Sequence, residues 1–299
     1  MTPPTGAPRR RSCLSVPASD PRKVARAATL PADEVVLDLE DAVAPEAKDA
    51  ARAAVVELLA ERGPLADRTT AVRVNAPRTP WCHQDLVAIA SAPRPPRSVV
   101  VPKVEDAGDL AYVDRLLDGV EAAVGRSTPL RVQALVETAT GLARVADVVR
   151  ASDRLEALVL GYADLGASLG RSSAGVAALD TWLPAQHAVL VAARSAHVQA
   201  LDGPHLGVAD DDPFRTSVRR ARDLGFDGKW AIHPGQLPAL DEAFTPSAEE
   251  ERWARRVLEA LEAARAGAGA GAGRLDGQML DEAVAVAARQ VLARLGEGG

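Results

Sequence analysis

VQALVE at residues 132–137 and LVLGYAD at residues 158–164 are two apolar runs that each close on an acid, Glu137 and Asp164. Near-continuous runs of this kind suit strands covered on both faces, as in a parallel sheet, better than the alternating pattern of a half-solvated antiparallel one. A carboxylate at the end of such a run is costly to bury unless something compensates it. A hard divalent cation such as Mg²⁺, which takes oxygen ligands, is one compensator. A basic partner or the N-terminus of the next helix is another, and the two acids alone do not choose between them.

Working outward from this pair, eight short β-type runs appear, at 12–17, 34–40, 70–75, 98–104, 130–137, 156–162, 197–202 and 228–233. The Ala- and Arg-rich intervals 45–61, 106–124, 140–151, 184–196 and 213–224 carry apolar residues at three and four spacing, which predicts amphipathic helices. Strand and helix alternating in this way predict a (β/α)₈ TIM barrel, with a doubly wound open sheet as the runner-up. The polar residues favour the barrel. Ser15, Ser19, Asp38, Glu40, Asp41, Arg73, Asn75, Lys103, Glu105, Glu137, Asp164, Asp202 and His233 fall at or just beyond the C-terminal ends of the runs, the face on which barrel enzymes carry their active sites.

The rest of the chain sets the boundaries. Residues 1–10 read as a disordered lead-in, 11–247 as the barrel, and 248–299 as a helical extension: one helix over 248–266, a Gly/Ala hinge or length-tolerant loop over 266–273, and a second helix from 274 that forms a movable lid. A hydrophobic content of 47% is ample for a large core, and with only 3% aromatics that core is aliphatic. The net charge of −6 argues against a nucleic-acid backbone as partner. No stretch approaches the ~20 apolar residues of a membrane span or has a signal-peptide core. Two cysteines, Cys13 and Cys82, are too few for a disulfide framework or a thiolate metal site, so the chain reads as cytoplasmic.

Several residues carry chemistry. Glu137 and Asp164 stand about one βα unit apart, so a barrel places both on one face, where they can share a cation. Arg73, in AVRVNA, is a basic residue inside an apolar run, and its planar fork suits a carboxylate or 2-oxo-acid ligand. It also suits an ion pair with Asp38, Glu40 or Asp41. Glu40 and Asp41 are candidates for holding substrate or metal-bound water, with N-capping by Asp41 as the alternative. Lys103 either meets an anionic substrate or pairs with Glu105 or Glu137; a Schiff-base role is disfavoured if a cation already supplies the electrophile. His233 reads as a hydrogen-bonded structural or cofactor-contacting residue. Arg22, Lys23 and Arg26, on the helix after the first strand, are candidates for holding a phosphorylated cofactor, or else a solvated helix face. No Walker loop, Rossmann glycine fingerprint or Ser-His-Asp motif is present.

Together, RSCLSVPAS (11–19), DEVVLDLEDAVAPEAKDAAR (33–52), VRVNAPRTPW (72–81), VPKVED (101–106), ALVETATGL (134–142), LGYADLGASLG (160–170), GFDGKWAIHPGQLPALDEAFTPS (225–247) and LDGQMLD (275–281) resemble the citrate lyase beta-subunit-like family of CoA-ester lyases, part of the metal-dependent aldolase superfamily. The resemblance runs from about residue 11 to the end. It implies Mg²⁺ on Glu137 and Asp164, a substrate carboxylate on Arg73, and Asp276 as a lid acid/base reaching a neighbouring subunit's site in a homo-oligomer, often a trimer or hexamer. It also implies carbon-carbon cleavage or formation of a 3-hydroxyacyl-CoA such as malyl-CoA or citramalyl-CoA, giving an acyl-CoA and a 2-oxo acid. Alternatives are a malyl-CoA thioesterase, a CoA-independent hydroxy-acid aldolase, and a non-catalytic subunit of a lyase complex. Two positions depart from the family pattern: Ala18 stands where a glycine is common, and Gln278 where a lysine is common.

Overall fold

The computed structural model describes residues 7–61, 63, 65–266 and 273–296. In chain order its elements begin β1 (Ser12–Pro17), α1 (Pro21–Ala28), β2 (Glu34–Asp38), α2 (Lys48–Ala60), β3 (Thr69–Arg73), α3 (Cys82–Ser91), β4 (Ser98–Val101), α4 (Ala107–Ala123) and β5 (Arg131–Val136). They continue α5 (Ala139–Ala143), α6 (Val145–Val148), β6 (Leu155–Leu160), α7 (Tyr162–Ser168), α8 (Ser173–Ala177), α9 (Leu183–Ser195), β7 (Gln199–Asp202), α10 (Asp212–Leu224), β8 (Gly228–Ala231) and α11 (Leu237–Phe244). The chain ends with α12 (Ala248–Ala266), β9 (Gly273–Leu275), β10 (Gln278–Leu280) and α13 (Glu282–Arg294). Strands β1 to β8 close into a barrel in sequence order, each parallel to its neighbours, with β8 returning to β1.

The predicted runs mostly overshoot the observed strands at their C-terminal ends: 34–40 becomes Glu34–Asp38, and 98–104 becomes Ser98–Val101. The chain leaves the ladder before the apolar pattern ends, and the overshoot residues, Glu40 and Lys103 among them, sit in the loops that rim the barrel. The predicted helix over 140–151 is interrupted at Arg144, whose backbone (φ −110°, ψ 12°) leaves the helical range between α5 and α6.

Period-two alternation stacks the barrel interior in layers. On β2 the residues Glu34, Val36 and Asp38 share a face; on β5, continued one residue past its end, Gln133, Leu135 and Glu137 do the same. The middle layer is apolar and takes a side chain from every strand: Cys13, Val36, Ala71, Val100, Leu135, Ala157, Val159, Leu201 and Trp230. Below it, at the N-terminal ends of the strands, Arg10 is fully buried. It donates to Glu34 (2.9 Å), to Gln199 (2.6 Å) and to Glu156, while Gln133 donates to Glu34 and Ser98. Arg10 therefore does not belong to a disordered lead-in; it plugs the barrel floor. Above the apolar layer lie the acids of the opposite rim.

Contacts divide the chain into Arg10–Asp241 and a smaller unit of Met1–Arg9 with Glu242–Gly299, so the boundary falls inside α11 rather than at residue 247. In the smaller unit α12 and α13 pack around Ala254, Val257, Leu261, Leu280, Ala285 and Ala288. The second helix expected from 274 begins only at Glu282. Ahead of it β9 and β10 form an antiparallel hairpin whose two-residue turn is Asp276–Gly277, both at positive φ (50° and 82°). Asp-Gly is a preferred pair for a type I′ turn, which matches the twist of the flanking strands. Of the expected hinge, residues 267–272 lie outside the described residues. No described helix is long and apolar enough to cross a membrane.

Candidate active site

Five consecutive strands deliver one cluster to the C-terminal rim. Register places Asp38 of β2 directly beside Arg73 of β3. The guanidinium donates to Asp38 through Nε (2.9 Å) and Nη2 (2.6 Å), the two-pronged geometry an arginine offers a carboxylate. Its other edge, Nη1, lies 2.9 Å from Glu40 and 3.6 Å from Asp41. Burial alone would lower the pKa of Arg73, but Asp38, Glu40 and Glu137 outweigh it and hold the cation firmly charged. The ion-pair reading of Arg73 is seen on both edges, with Asp38 on one and Glu40 and Asp41 on the other.

Lys103 joins the remaining acids. Its backbone is left-handed (φ 51°), a conformation costing roughly 1–2 kcal/mol in a residue other than glycine. Its N–H donates to Glu137 Oε1 at 3.0 Å. Its ammonium sits 2.5 Å from Glu40, 3.6 Å from Asp41 and 3.8 Å from Asp164. These acids hold its pKa above the ordinary value although burial opposes them. A group so firmly protonated is a fixed cation rather than a nucleophile, consistent with the disfavoured Schiff-base role.

Glu137 is buried, and Gly161 at the end of β6 makes room for it: a Cβ there would stand 2.6 Å from Glu137 Oε2. Burial first, then the charges of Glu40 and Asp164, push its carboxyl up to about 8 against the pull of Arg73 and Lys103. Glu40 is likewise raised, chiefly by burial, and its Oε2 accepts no hydrogen bond. Asp164 lies in the first turn of α7 and is partly exposed. The donor set is all oxygen. Among the described residues no three acid, histidine or cysteine side chains form a ready metal cage. Two carboxylates with water and substrate oxygens completing the shell is the arrangement Mg²⁺ commonly takes, and the residues present fit it.

Other expected residues fall elsewhere. Asp41 is exposed at the rim and caps no helix: the helical turn at Pro45 and α2 both begin without a side-chain cap. His233 is exposed and accepts from Gly235 N at 3.1 Å, which makes it a cap. Glu105 pairs with Arg78 at 3.2 Å and not with Lys103. Asn75 and Asp202, read as facing the rim, are buried against other partners: Asn75 bonds Asp85 of α3, and Asp202 bonds Lys229 and Tyr162. Arg22, Lys23 and Arg26 are exposed on α1, whose N-cap Asp20 accepts from Arg22 N and Lys23 N. Asp276, at the hairpin tip of the smaller unit, is exposed and accepts from Arg256 at 2.8 Å. Sequence reasoning missed Lys48, which reaches from α2 to the carbonyls of Leu39 (2.9 Å) and Glu40 (2.7 Å) and fixes the loop that presents Glu40.

A closed parallel barrel with a coupled cluster of acids and fixed cations on its C-terminal rim defines a barrel enzyme. The sequence model of the HpcH/HpaI aldolase/citrate lyase family matches residues 11–234. The chain is 36% identical over 297 residues to an L-malyl-CoA/beta-methylmalyl-CoA lyase of Cereibacter sphaeroides, covering 94% of this chain and 93% of the relative. It is 38% identical over 292 residues to citrate lyase subunit beta of Escherichia coli, covering 95% and 93%. Among solved structures it resembles the CitE protein of Mycobacterium tuberculosis in complex with magnesium, acetoacetate and coenzyme A, with a TM-score of 0.77 and 35% identity over 98% of this chain and 99% of that one. The chain belongs to the HpcH/HpaI aldolase/citrate lyase family, and so to the carbon-carbon lyases.

Proposed function

We propose that this chain is a Mg²⁺-dependent lyase that cleaves, or in reverse forms, a 3-hydroxyacyl-CoA of the malyl-CoA or citramalyl-CoA kind, with an acyl-CoA and a 2-oxo acid as the other side of the reaction. The observation that carries the reading is Glu137: a buried carboxyl pushed up to about 8 by burial and by Glu40 and Asp164. A carboxylate so destabilised calls for a cation. Glu137 and Asp164 would hold Mg²⁺, whose chemistry is that of a Lewis acid stabilising negative charge on the oxo-acid oxygen. The similarity to a malyl-CoA lyase and to a protein solved with magnesium and coenzyme A supports the same assignment.

The chain's own residues supply the rest. Arg73, locked by Asp38 on one edge, would offer its Nη1 edge, which Glu40 and Asp41 flank, to the oxo-acid carboxylate and fix its orientation. Glu40 and Asp41 take positions beside that edge and beside Lys103, where they order the substrate's polar end. In cleavage the hydroxyl would pass its proton to solvent, the carbon-carbon bond would break toward the thioester, and the resulting enolate would be protonated at carbon by Asp276, which regains its proton from solvent; condensation runs the same steps backward. Arg22, Lys23 and Arg26 would hold the phosphates of CoA, and Asp276 would serve the site of a neighbouring subunit in a trimer or hexamer.

Glu137→Ala is the direct test. It is expected to cut Mg²⁺-dependent turnover of malyl-CoA or citramalyl-CoA by about 10²–10³-fold; unchanged Mg²⁺-dependent turnover would refute the proposal. Measuring free CoA against oxo acid in the same assay separates hydrolysis from cleavage, and free hydroxy acids offered without CoA test the CoA-independent aldolase. The 38% identity to a citrate lyase beta subunit favours, as a second reading, a component of a lyase complex. Inactivity of the purified chain together with a stoichiometric co-purifying partner would support that instead.

A further inference from the structure

Behind the rim a polar chain, buried at β8 and β7 and half-buried at Tyr162, runs from β8 to α7. Lys229, in β8, is 1% exposed; its ammonium donates to Asp202 at 2.5 Å and to the Gly203 carbonyl at 2.6 Å, both just at the end of β7. The other oxygen of Asp202 accepts from the Tyr162 hydroxyl, which also accepts from Gln186 of α9 at 2.8 Å. Lys229 Nζ lies 5.4 Å from the centre of the Tyr162 ring, and the ring meets Trp182 edge-on with centroids 4.9 Å apart. Gly203 admits the arrangement: a Cβ there would come within 1.9 Å of the Leu160 carbonyl and 3.0 Å of the Tyr162 ring. Tyr162 is the first residue of α7, two before Asp164.

The need for such a tether is local. Helix α7 is seven residues long, and its N-cap, Gly161, has no side chain to cap it. Its first turn would fray, and Asp164, the more exposed of the two proposed metal ligands, rides on that turn. Glu137 needs no equivalent, because it leaves a buried strand and is held by the Lys103 N–H.

We infer that Lys229, Asp202 and Tyr162 form a latch that positions Asp164 for cation binding, with Tyr162 as its contact to α7. The inference rests on the proposed metal role of Glu137 and Asp164. Such outer contacts commonly tune metal affinity by 10–100-fold. Tyr162→Phe keeps the ring and its packing on Trp182 and removes only the hydroxyl. It is expected to weaken binding of Mg²⁺ to the full-length protein about 10-fold by calorimetry, and of Mn²⁺ equally by the loss of its free-ion resonance signal, while the circular dichroism spectrum stays that of the wild type. Lys229→Met, read the same way, should match or exceed this; if it does not fold, Tyr162→Phe decides alone. Mg²⁺ affinity in Tyr162→Phe within twofold of wild type would overturn the latch. Asp164→Asn distinguishes the two claims. If it binds Mg²⁺ like the wild type, the metal assignment itself fails; if it loses binding while Tyr162→Phe does not, only the latch fails.

Discussion

At Glu137 the folded chain keeps a proton that the unfolded chain releases. The carboxyl ionises at an ordinary 4.5 when unfolded and at about 8 when folded. Between those values the unfolded state binds fewer protons, so stability falls as pH rises through that window. Glu137→Gln, permanently neutral and still able to accept from Lys103 N, removes this penalty. In the absence of divalent cations it should unfold at nearly the wild-type urea concentration at pH 4 but be more stable by roughly 4 kcal/mol at pH 8. Mg²⁺ should stabilise only the wild type. Arg73 carries the second residue-level expectation: Arg73→Lys keeps the charge but not the fork, and steady-state kinetics in the condensation direction should show KM for the oxo acid raised about 10–100-fold, some 1.4–2.8 kcal/mol. Arg73 and Glu137 were visible in the sequence because each is a charge in or closing an apolar run. Lys229 gives the same signal within the eighth run. Facing was not visible: Leu201 points into the barrel, so Asp202 points out of it, and a position at a strand's end does not reveal this without the register.

Elements were legible in proportion to their length and period. All eight barrel strands and the long helices follow from apolar runs and three-four spacing, whereas α7, α8 and the hairpin are too short to show a period. Over 274–295 the helical spacing that begins near Leu280 extends backward across LDGQM, and the Asp-Gly pair is the contrary signal. The hairpin changes what a substitution at Asp276 means, because that residue serves a turn as well as any acid-base role. Asparagine also tolerates positive φ, so Asp276→Asn keeps the turn and removes the carboxylate. It should retain the circular dichroism spectrum and the unfolding temperature while losing about 10²–10⁴-fold in turnover and in solvent deuterium exchange into the acyl-CoA carbon. Gly277→Val tests the turn alone. It places a β-branched residue at φ 82° and should cost about 1–2 kcal/mol of local stability, read as faster amide exchange in β9 and β10.

Across the whole molecule the barrel has two polar ends with different work. One rim carries the charged cluster proposed to bind the cation and substrate, and the opposite end is closed by Arg10. Its partners Glu34, Glu156 and Gln199 lie 24, 146 and 189 residues away in sequence. Only barrel closure brings the starts of β2, β6 and β7 to one point, which is why an arginine in a Pro- and Arg-rich N-terminus reads locally as disorder. Removing one member of a buried ion pair commonly costs about 3–5 kcal/mol, because the other charge is left uncompensated. Glu156 keeps Arg97 at 3.0 Å, with Arg131 at 3.8 Å, whereas Glu34 keeps, among the described residues, the amide of Gln133 and the thiol of Cys13, both neutral. Glu34 is therefore the stranded charge in Arg10→Met, and a second change, Glu34→Gln, neutralises it. Urea unfolding should show the single variant destabilised by about 3–5 kcal/mol and the double variant recovering at least half of that. A double variant no more stable than the single one would mean that Arg10 acts through packing at the barrel floor and not through its charge.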